Sequence, residues 1–362
     1  MKKAFAATLV ILAIIIFFLQ PAPIDPAAYF PPEPRDFTRL QASAGLLQTA
    51  QLLALGEING PEEVAVDRQG RVYGGTQDGK IICLLPDGRL KPFADTKGRP
   101  LGMKFDLNDN LIVCDGYQGL LSINPQGKIT VLARSADDLD FKFTDALDIG
   151  SDGIIYFTDA SAKFGPDEYL YDLLESKPHG RFLSYDPATG RVKVLLKSLY
   201  FANGVALSEQ EDFVLINETY RYRIVRYWLK GPKSGTHEIF IDNLPGFPDN
   251  ISSNHKGRFW LALFTVRNKI VDQTHPFPFL KALIFKLPKA LWPKPTPYGL
   301  VLALDEQGKI TQCLHDPTGE HLKEITSARE HQGYLYLGSL HNDRIGKYRL
   351  ADKVESKLIR ID

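Results

Sequence analysis

Acidic and amide residues recur in this chain at one kind of place, the start of a short apolar run. Glu62-Glu63 precede Val64-Ala65-Val66, and Asp145 precedes Ala146-Leu147. Asn203 precedes Gly204-Val205-Ala206-Leu207, and Asp249-Asn250 precede Ile251. Carboxylate and amide oxygens gathered without Cys or His suit a hard cation; calcium takes about six to eight oxygens from carboxylates, amides, carbonyls and water. Left unneutralised, such carboxylates would repel and raise one another's pKa values. Any one of these residues is equally well read as ordinary punctuation of a strand start, and it is their coincidence that points to a metal. Glu62, Glu63, Asp145, Asn203, Asp249 and Asn250 are the candidates for such a site. Asp249, or Glu62 where it is not fully coordinated, would also serve as the base on a water molecule. His341, at the end of a later apolar run, is a candidate proton carrier.

These residues meet only if a repeated framework converges on one axis. An apolar strand, a polar turn and a second strand recur six times, with turns at Asp67-Gly70, Asp106-Asn110, Gly150-Gly153, Ser208-Asp212, Asn254-Gly257 and Glu330-Gly333. Third strands follow, as at Ile81-Leu85, Leu120-Ile123 and Phe182-Tyr185, and fourth strands after them, as at Ile129-Leu132 and Val192-Leu196. Four-stranded units at a spacing of roughly 40 to 50 residues predict an all-β fold, a six-bladed β-propeller in residues 45–362. Gln51-Leu55 is expected to close the ring by pairing near Arg344-Leu350. Glu62, Glu63, Asp145, Asn203, Asp249 and Asn250 then sit at inner-strand starts and share one mouth. Asp115, Asp159, Glu218 and His341 end second strands at the same mouth, where the carboxylates are more ordinary as strand-end caps.

Two insertions interrupt the spacing, Asp159 to Gly180 and Phe264 to Tyr298. Pro166-Asp167-Glu168 ahead of Tyr169-Leu174 reads as a helix start. Both fall between the second and third strands of their blades, so both are expected over the mouth. The second carries Phe277, Phe279, Leu280, Leu283, Ile284, Phe285, Leu291 and Trp292 with Lys269, Lys281, Lys286, Lys289 and Lys294. So much apolar surface must cover the tunnel, pack on its own blade, or touch a bilayer, where rings sit at headgroup depth beside lysines.

The first residues differ from the rest. Lys2-Lys3 precede an uncharged apolar run, Ala4 to Leu19, which predicts an N-terminal membrane-anchor helix within residues 1–20 rather than a cleaved signal. Lysines on the short flank stay cytoplasmic, which places the body on the non-cytoplasmic side, periplasmic or lumenal. Residues 21–44 are Pro-rich and read as a linker leading away from the bilayer. The 43 basic and 43 acidic residues balance, which argues against a nucleic-acid partner. Cys83, Cys114 and Cys313 are too few and scattered for a disulfide framework or a zinc site and are expected as buried thiols. Neither a phosphate loop nor a G-x-S-x-G nucleophile elbow is present.

Residues 141–186 and 200–263 closely resemble the strictosidine synthase-like family, whose wider relatives include adipocyte plasma membrane-associated proteins, paraoxonases and the senescence-marker/gluconolactonase proteins. The resemblance rests on Ile154 with Tyr156-Ser161, Tyr171-Glu175, Phe201-Ser208, Arg223-Pro232, Leu244-Ile251 and Glu330-Ser339, and extends over roughly residues 45 to 350. It implies a six-bladed propeller, often with an N-terminal anchor, and Glu62, Asn203 and Asp249 as calcium ligands. Three departures stand out. Thr144 replaces the blade-three Asn usual in hydrolytic relatives, and Leu101 stands where paraoxonases place a His. The catalytic glutamate of true strictosidine synthases falls at Thr326. The expected function is a calcium-dependent hydrolase of esters or lactones, arylesterase- or lactonase-like, acting on a small apolar substrate. The alternative is a non-catalytic propeller binding a ligand or protein; a condensing synthase is disfavoured by Thr326.

Overall fold

The computed structural model describes Phe17, residues 20–35 and residues 45–350. Six four-stranded antiparallel sheets follow one another along the chain, each strand paired with the next, as the blades of a propeller. The inner strands are Val64–Val66, Pro100–Phe105, Thr144–Ile149, Ala202–Leu207, Gly246–Ser253 and Ile325–His331. Blade six takes its outermost strand from the start of the domain, where Gln51–Leu53 pairs antiparallel with Lys347, Gly346 and Ile345. The ring is thus closed by hydrogen bonds between its two ends, which leaves no open seam.

The strands alternate so that each sheet presents apolar residues to both neighbouring blades. Phe213 and Leu215 of blade four meet Phe259 and Leu261 of blade five, all buried. Trp260 and Ala262 on the other face of blade five meet Leu335 and Leu337 of blade six. Each of the larger of these side chains contributes roughly 1.5–3 kcal/mol through burial, and no blade could gain this alone. All three cysteines are buried and free.

The inner strands are irregular where chemistry was expected. The pairing register slips between Pro100 and Met103, Thr144 and Leu147, Ala202 and Val205, Pro248 and Ile251, and Ile325 and Ser327. A bulge at the first residues of a strand turns side chains off the sheet faces. Here that aims Asp145, Asn203 and Asp249 toward the axis instead of into the inter-blade core.

Both insertions lie over the mouth. The first forms a 3-10 turn, Pro166–Glu168, and helix α1, Tyr169–Glu175. The second forms α2, Lys269–Thr274, and α3, Pro278–Lys286, followed by a 3-10 turn at Lys289–Leu291. They pack on each other: the Tyr171 ring lies 4.9 Å from Phe285 and 6.0 Å from Trp292. The apolar run Ala4–Leu19 lies, Phe17 apart, outside the described residues. Among the described residues no helix is long and apolar enough to cross a membrane.

Candidate functional site

Glu62, Asp145, Asn203, Asp249 and His341 all line one cavity of about 440 Å³ at the mouth. The four oxygen-bearing residues at its floor are buried. Three of their oxygens, Glu62 Oε2, Asn203 Oδ1 and Asp249 Oδ1, are buried with no hydrogen-bond partner. Asn250 lies next to the floor and donates its amide nitrogen to Glu62 Oε1 at 3.0 Å, which orients Glu62. Glu63 turns away to Arg329, 3.3 Å from its guanidinium.

The backbones of the three orphaned residues are held by a recurring device. The carbonyl of each accepts a hydrogen bond from a side chain of the preceding blade: Thr326 Oγ1 to Glu62 O at 2.6 Å, Thr158 Oγ1 to Asn203 O at 2.8 Å, and Asn217 Nδ2 to Asp249 O. Thr219 Oγ1 adds a bond to Pro248 O at 2.7 Å. Sequence reasoning missed Thr158 and Asn217 as positioning residues. Their signal was present, a polar side chain just inside an apolar second strand ahead of Asp159 and Glu218. Close approach of the blades requires glycine at two points. A Cβ on Gly204 would stand 2.5 Å from Ile251 N and 2.6 Å from Asp249 O, and one on Gly338 would stand 2.5 Å from Glu62 O.

The strand-end carboxylates are caps. Asp115 Oδ1 accepts from the amides of Arg99, Tyr117 and Gln118 at 3.0, 3.0 and 2.9 Å. Asp159 accepts from Phe143 N at 2.9 Å and from Arg181 Nη2 at 2.5 Å. Glu218 accepts from Tyr200 N at 2.8 Å and pairs with Arg223. Thr144 is committed too, its hydroxyl donating to Asp115 O at 2.6 Å.

Burial and mutual repulsion dominate the electrostatics. Burial, then the charges of Asp249, Asp145 and Glu63, push Glu62 well above the usual carboxylate range. Burial, then Asp249 and Asp159, do the same to Asp145. Burial pushes Asp249 to about 8, opposed by the Asn203 amide. Arg99 is the cation facing them; it is buried and donates from both terminal nitrogens to Gly60 O at 3.1 Å. Among the described residues, no group of three or more His, Cys, Asp or Glu side chains is placed to hold a metal ion. A set of two carboxylate oxygens and one amide oxygen, buried and unpartnered, nevertheless has the chemistry of a hard-cation site completed by water or substrate.

Above this floor the walls are apolar, from Leu101, Phe143, Phe201, Tyr220 and Phe247, and the insertions supply Tyr169, Leu173, Phe264 and Val271. His341 stands at the rim, its Nδ1 2.5 Å from Glu324 Oε2 and its ring edge-on to Phe264. Glu324 is buried with a positive φ of 49°, a backbone conformation that costs a non-glycine residue about 1 kcal/mol or more. The aromatic and lysine residues of the second insertion divide. Trp292 and Lys281 are buried, and Phe277, Phe279, Leu280 and Leu291 are exposed. Lys281 therefore faces no solvent; its Nζ donates to Ala27 O at 2.6 Å and Ser176 Oγ at 2.8 Å.

Residues 145–232 match the family model for strictosidine synthase and residues 45–84 that for the strictosidine synthase-like N-terminal region. The chain is 37% identical to rat (Rattus norvegicus) adipocyte plasma membrane-associated protein over 370 residues, 95% of this chain and 98% of that one. It is 34% identical to strictosidine synthase-like protein 10 of Arabidopsis thaliana over 94% of this chain and 97% of that one. Among solved structures, a gluconolactonase from Xanthomonas campestris superposes with a TM-score of 0.62 at 18% identity, over 92% of this chain and 99% of that one. The calcium-binding protein regucalcin of Agrobacterium tumefaciens superposes with a TM-score of 0.58 at 13% identity, over 84% and 97%. At those identities the likeness concerns the fold.

Proposed function

From the premise that the chain belongs to the strictosidine synthase-like family, we propose that it is a calcium-dependent hydrolase of apolar esters or lactones, lactonase-like in chemistry. The observation that carries the reading is the trio of buried, unpartnered oxygens on Glu62, Asn203 and Asp249 at the floor of one cavity. Their mutual repulsion is relieved by a cation. A bound calcium ion would supply a Lewis acid for the substrate carbonyl oxygen and the oxyanion that follows. The gluconolactonase and the calcium-binding regucalcin that superpose on this chain show that the same fold occurs in proteins of that chemistry and metal.

The chain's own groups do the rest. Phe143, Phe201, Tyr220 and Phe247 enclose the acyl or ring carbons and exclude water from the carbonyl's surroundings. A water at the floor gives a proton to Asp249, or to Glu62 where its second oxygen is free. At the rim, Glu324 holds His341 through Nδ1, which leaves Nε2 to carry a proton between cavity and solvent. In this reading the apolar run Ala4–Leu19 tethers the body on the non-cytoplasmic side of a membrane.

A second reading, a propeller that binds a ligand without turning it over, is favoured by Thr144. Its hydroxyl is spent on Asp115 O, which leaves Asp145 as the carboxylate that the blade-three strand start turns to the cavity. A condensing synthase is disfavoured because Thr326, with its hydroxyl on Glu62 O, provides no base. A panel of lactones and aryl esters assayed with and without a calcium chelator distinguishes these readings. Chelator-sensitive hydrolysis lost in Asp249→Ala supports the first. Calcium-dependent melting with no turnover on any panel member supports the second.

A further inference from the structure

The Pro-rich stretch after the apolar run does not hang free. Residues 24–33 lie as a strap across both insertions. Ala27 N donates to Glu175 O at 2.9 Å and Tyr29 N to His275 O at 3.0 Å. Lys281 reaches Ala27 O, and Arg267 Nη2 donates to Pro32 O at 2.7 Å. Ile24 is buried with Phe164, Leu174 and Trp292. The Arg221 guanidinium lies 3.8 Å from the Tyr29 ring centre and 3.6 Å from that of Tyr200. At the head of the strap, Lys286 Nζ donates to Gln20 O. The residue that follows the apolar run is therefore fixed at the C-terminal end of α3.

That same helix and its flanks carry the exposed apolar surface. Phe277, Phe279 (71% exposed) and Leu280 lie at the start of α3, with Ile270 on α2 and Leu291 (66% exposed) after α3. Lys269, Lys289 and Lys294 are exposed on the same insertion. Large exposed apolar side chains grouped on one element mark an interaction surface. With lysines among them they suit the headgroup region, where apolar groups sink roughly 5–10 Å and ammonium groups meet phosphates.

We infer that the propeller docks mouth-down on the lipid bilayer, with Ile270, Phe277, Phe279, Leu280 and Leu291 inserted into the headgroup layer beside the root of the apolar run. The occupant of this surface is lipid because the strap delivers an uncharged run of 16 residues, Ala4 to Leu19, to the helix that presents the patch. The cavity is walled by Phe264, Val271 and Lys294 of the same insertion, so its opening faces the membrane. Resting on the hydrolase reading, this assigns the substrate to the bilayer phase: an ester or lactone apolar enough to partition into lipid and reach the cavity without crossing water.

The test uses the full-length chain in phosphatidylcholine nanodiscs. Single cysteines replace Phe279, Leu291 and, at the opposite end of the propeller, Lys256, and each is labelled with bimane; the three native cysteines are buried. A spin-labelled phospholipid is the quencher. The expected result is several-fold stronger quenching at positions 279 and 291 than at 256, lost at 291 when Phe277 and Phe279 are both changed to Ser. Equal quenching at all three positions, or none at any, overturns the docking. Disulfide crosslinking between copies through Phe279→Cys without lipid quenching overturns it in favour of a protein interface. The readout needs neither calcium nor turnover, so the docking can fail while the hydrolase stands, and the reverse.

Discussion

Replacing Asp249 by Asn should change stability in opposite directions with and without calcium. In chelator-treated protein Asp249 is held near 8 against an ordinary value of 3.8, chiefly by burial. A carboxyl raised in the fold binds more protons folded than unfolded. Its contribution is therefore fully favourable below pH 3.8, falls as pH rises through the interval to about 8, and is flat above. At pH 7 about three of the roughly four pK units between 3.8 and 8 have been crossed, a loss of about 4 kcal/mol against a limit of about 6 kcal/mol at 1.36 kcal/mol per unit. The amide cannot ionise and keeps a polar group in place, so Asp249→Asn should recover about 2–4 kcal/mol in the chelated protein. For a domain of this size, at about 2.1 cal/mol/K of unfolding entropy per residue, that raises the melting temperature by about 3–6 °C. Calcium reverses the order. At one hundred times its Kd a ligand adds about 2.7 kcal/mol to the parent, and the variant, lacking one charged oxygen, should lose most of that gain. Scanning calorimetry at pH 7 with calcium and with chelator, repeated at pH 4.5, measures both effects. The variant's advantage in chelator should shrink at the lower pH. A chelated Asp249→Asn less stable than the parent at pH 7, or one that keeps the parent's full calcium shift, would refute the reasoning.

Glu324→Gln should leave KM for a lactone within about two-fold and lower kcat by about ten-fold or more, since general acid–base groups contribute roughly 10²–10⁴. His341→Gln should do the same and flatten the pH profile, and a kcat unchanged in both removes the proton-carrier role. Gly204→Ala places a Cβ 2.5 Å from Ile251 N and 2.6 Å from Asp249 O. It should cost about 1–3 kcal/mol and weaken calcium binding, read by urea unfolding and calorimetric titration; unchanged values in both would mean the blades do not meet so closely. Burial, then the nearby Arg221 charge, lower Lys281 from 10.5 to about 7. The fold binds this proton less well than the unfolded chain does, so the parent should gain stability as pH rises from 7 to 10. Lys281→Met lacks that term, so its melting curve relative to the parent should fall across this range, and parallel curves would contradict the assignment.

Much of this molecule is legible in one dimension. The six-fold recurrence of strand, polar turn and strand determined the blade count, because period-two alternation and turn chemistry are local properties. It also determined the closure by Gln51–Leu53 and the placement of both insertions over one mouth, since strand parity decides at which end a connection lies. That Glu62, Asp145, Asn203 and Asp249 meet at one cavity followed from position alone, each standing where the repeat begins.

Tertiary structure decided which polar atoms remain free. Asn250 and Asn203 look alike in sequence, but the first gives its amide nitrogen to Glu62 and the second keeps an oxygen unpartnered. Thr144 and Thr326 hydroxyls vanish into carbonyls of neighbouring blades, and Glu63 turns to Arg329. These outcomes depend on partners far away along the chain and on bulges that rotate single side chains, which no local pattern encodes. The strap is the clearest case. Pro-rich composition signals only the absence of helix and sheet, and residues 24–33 acquire their place from backbone carbonyls and the Lys281 and Arg267 side chains of two insertions that begin more than 120 residues later. Lys281 and Trp292 belong to the same class: a lysine and a tryptophan at an amphipathic surface in sequence, both buried once the strap and α1 close over them.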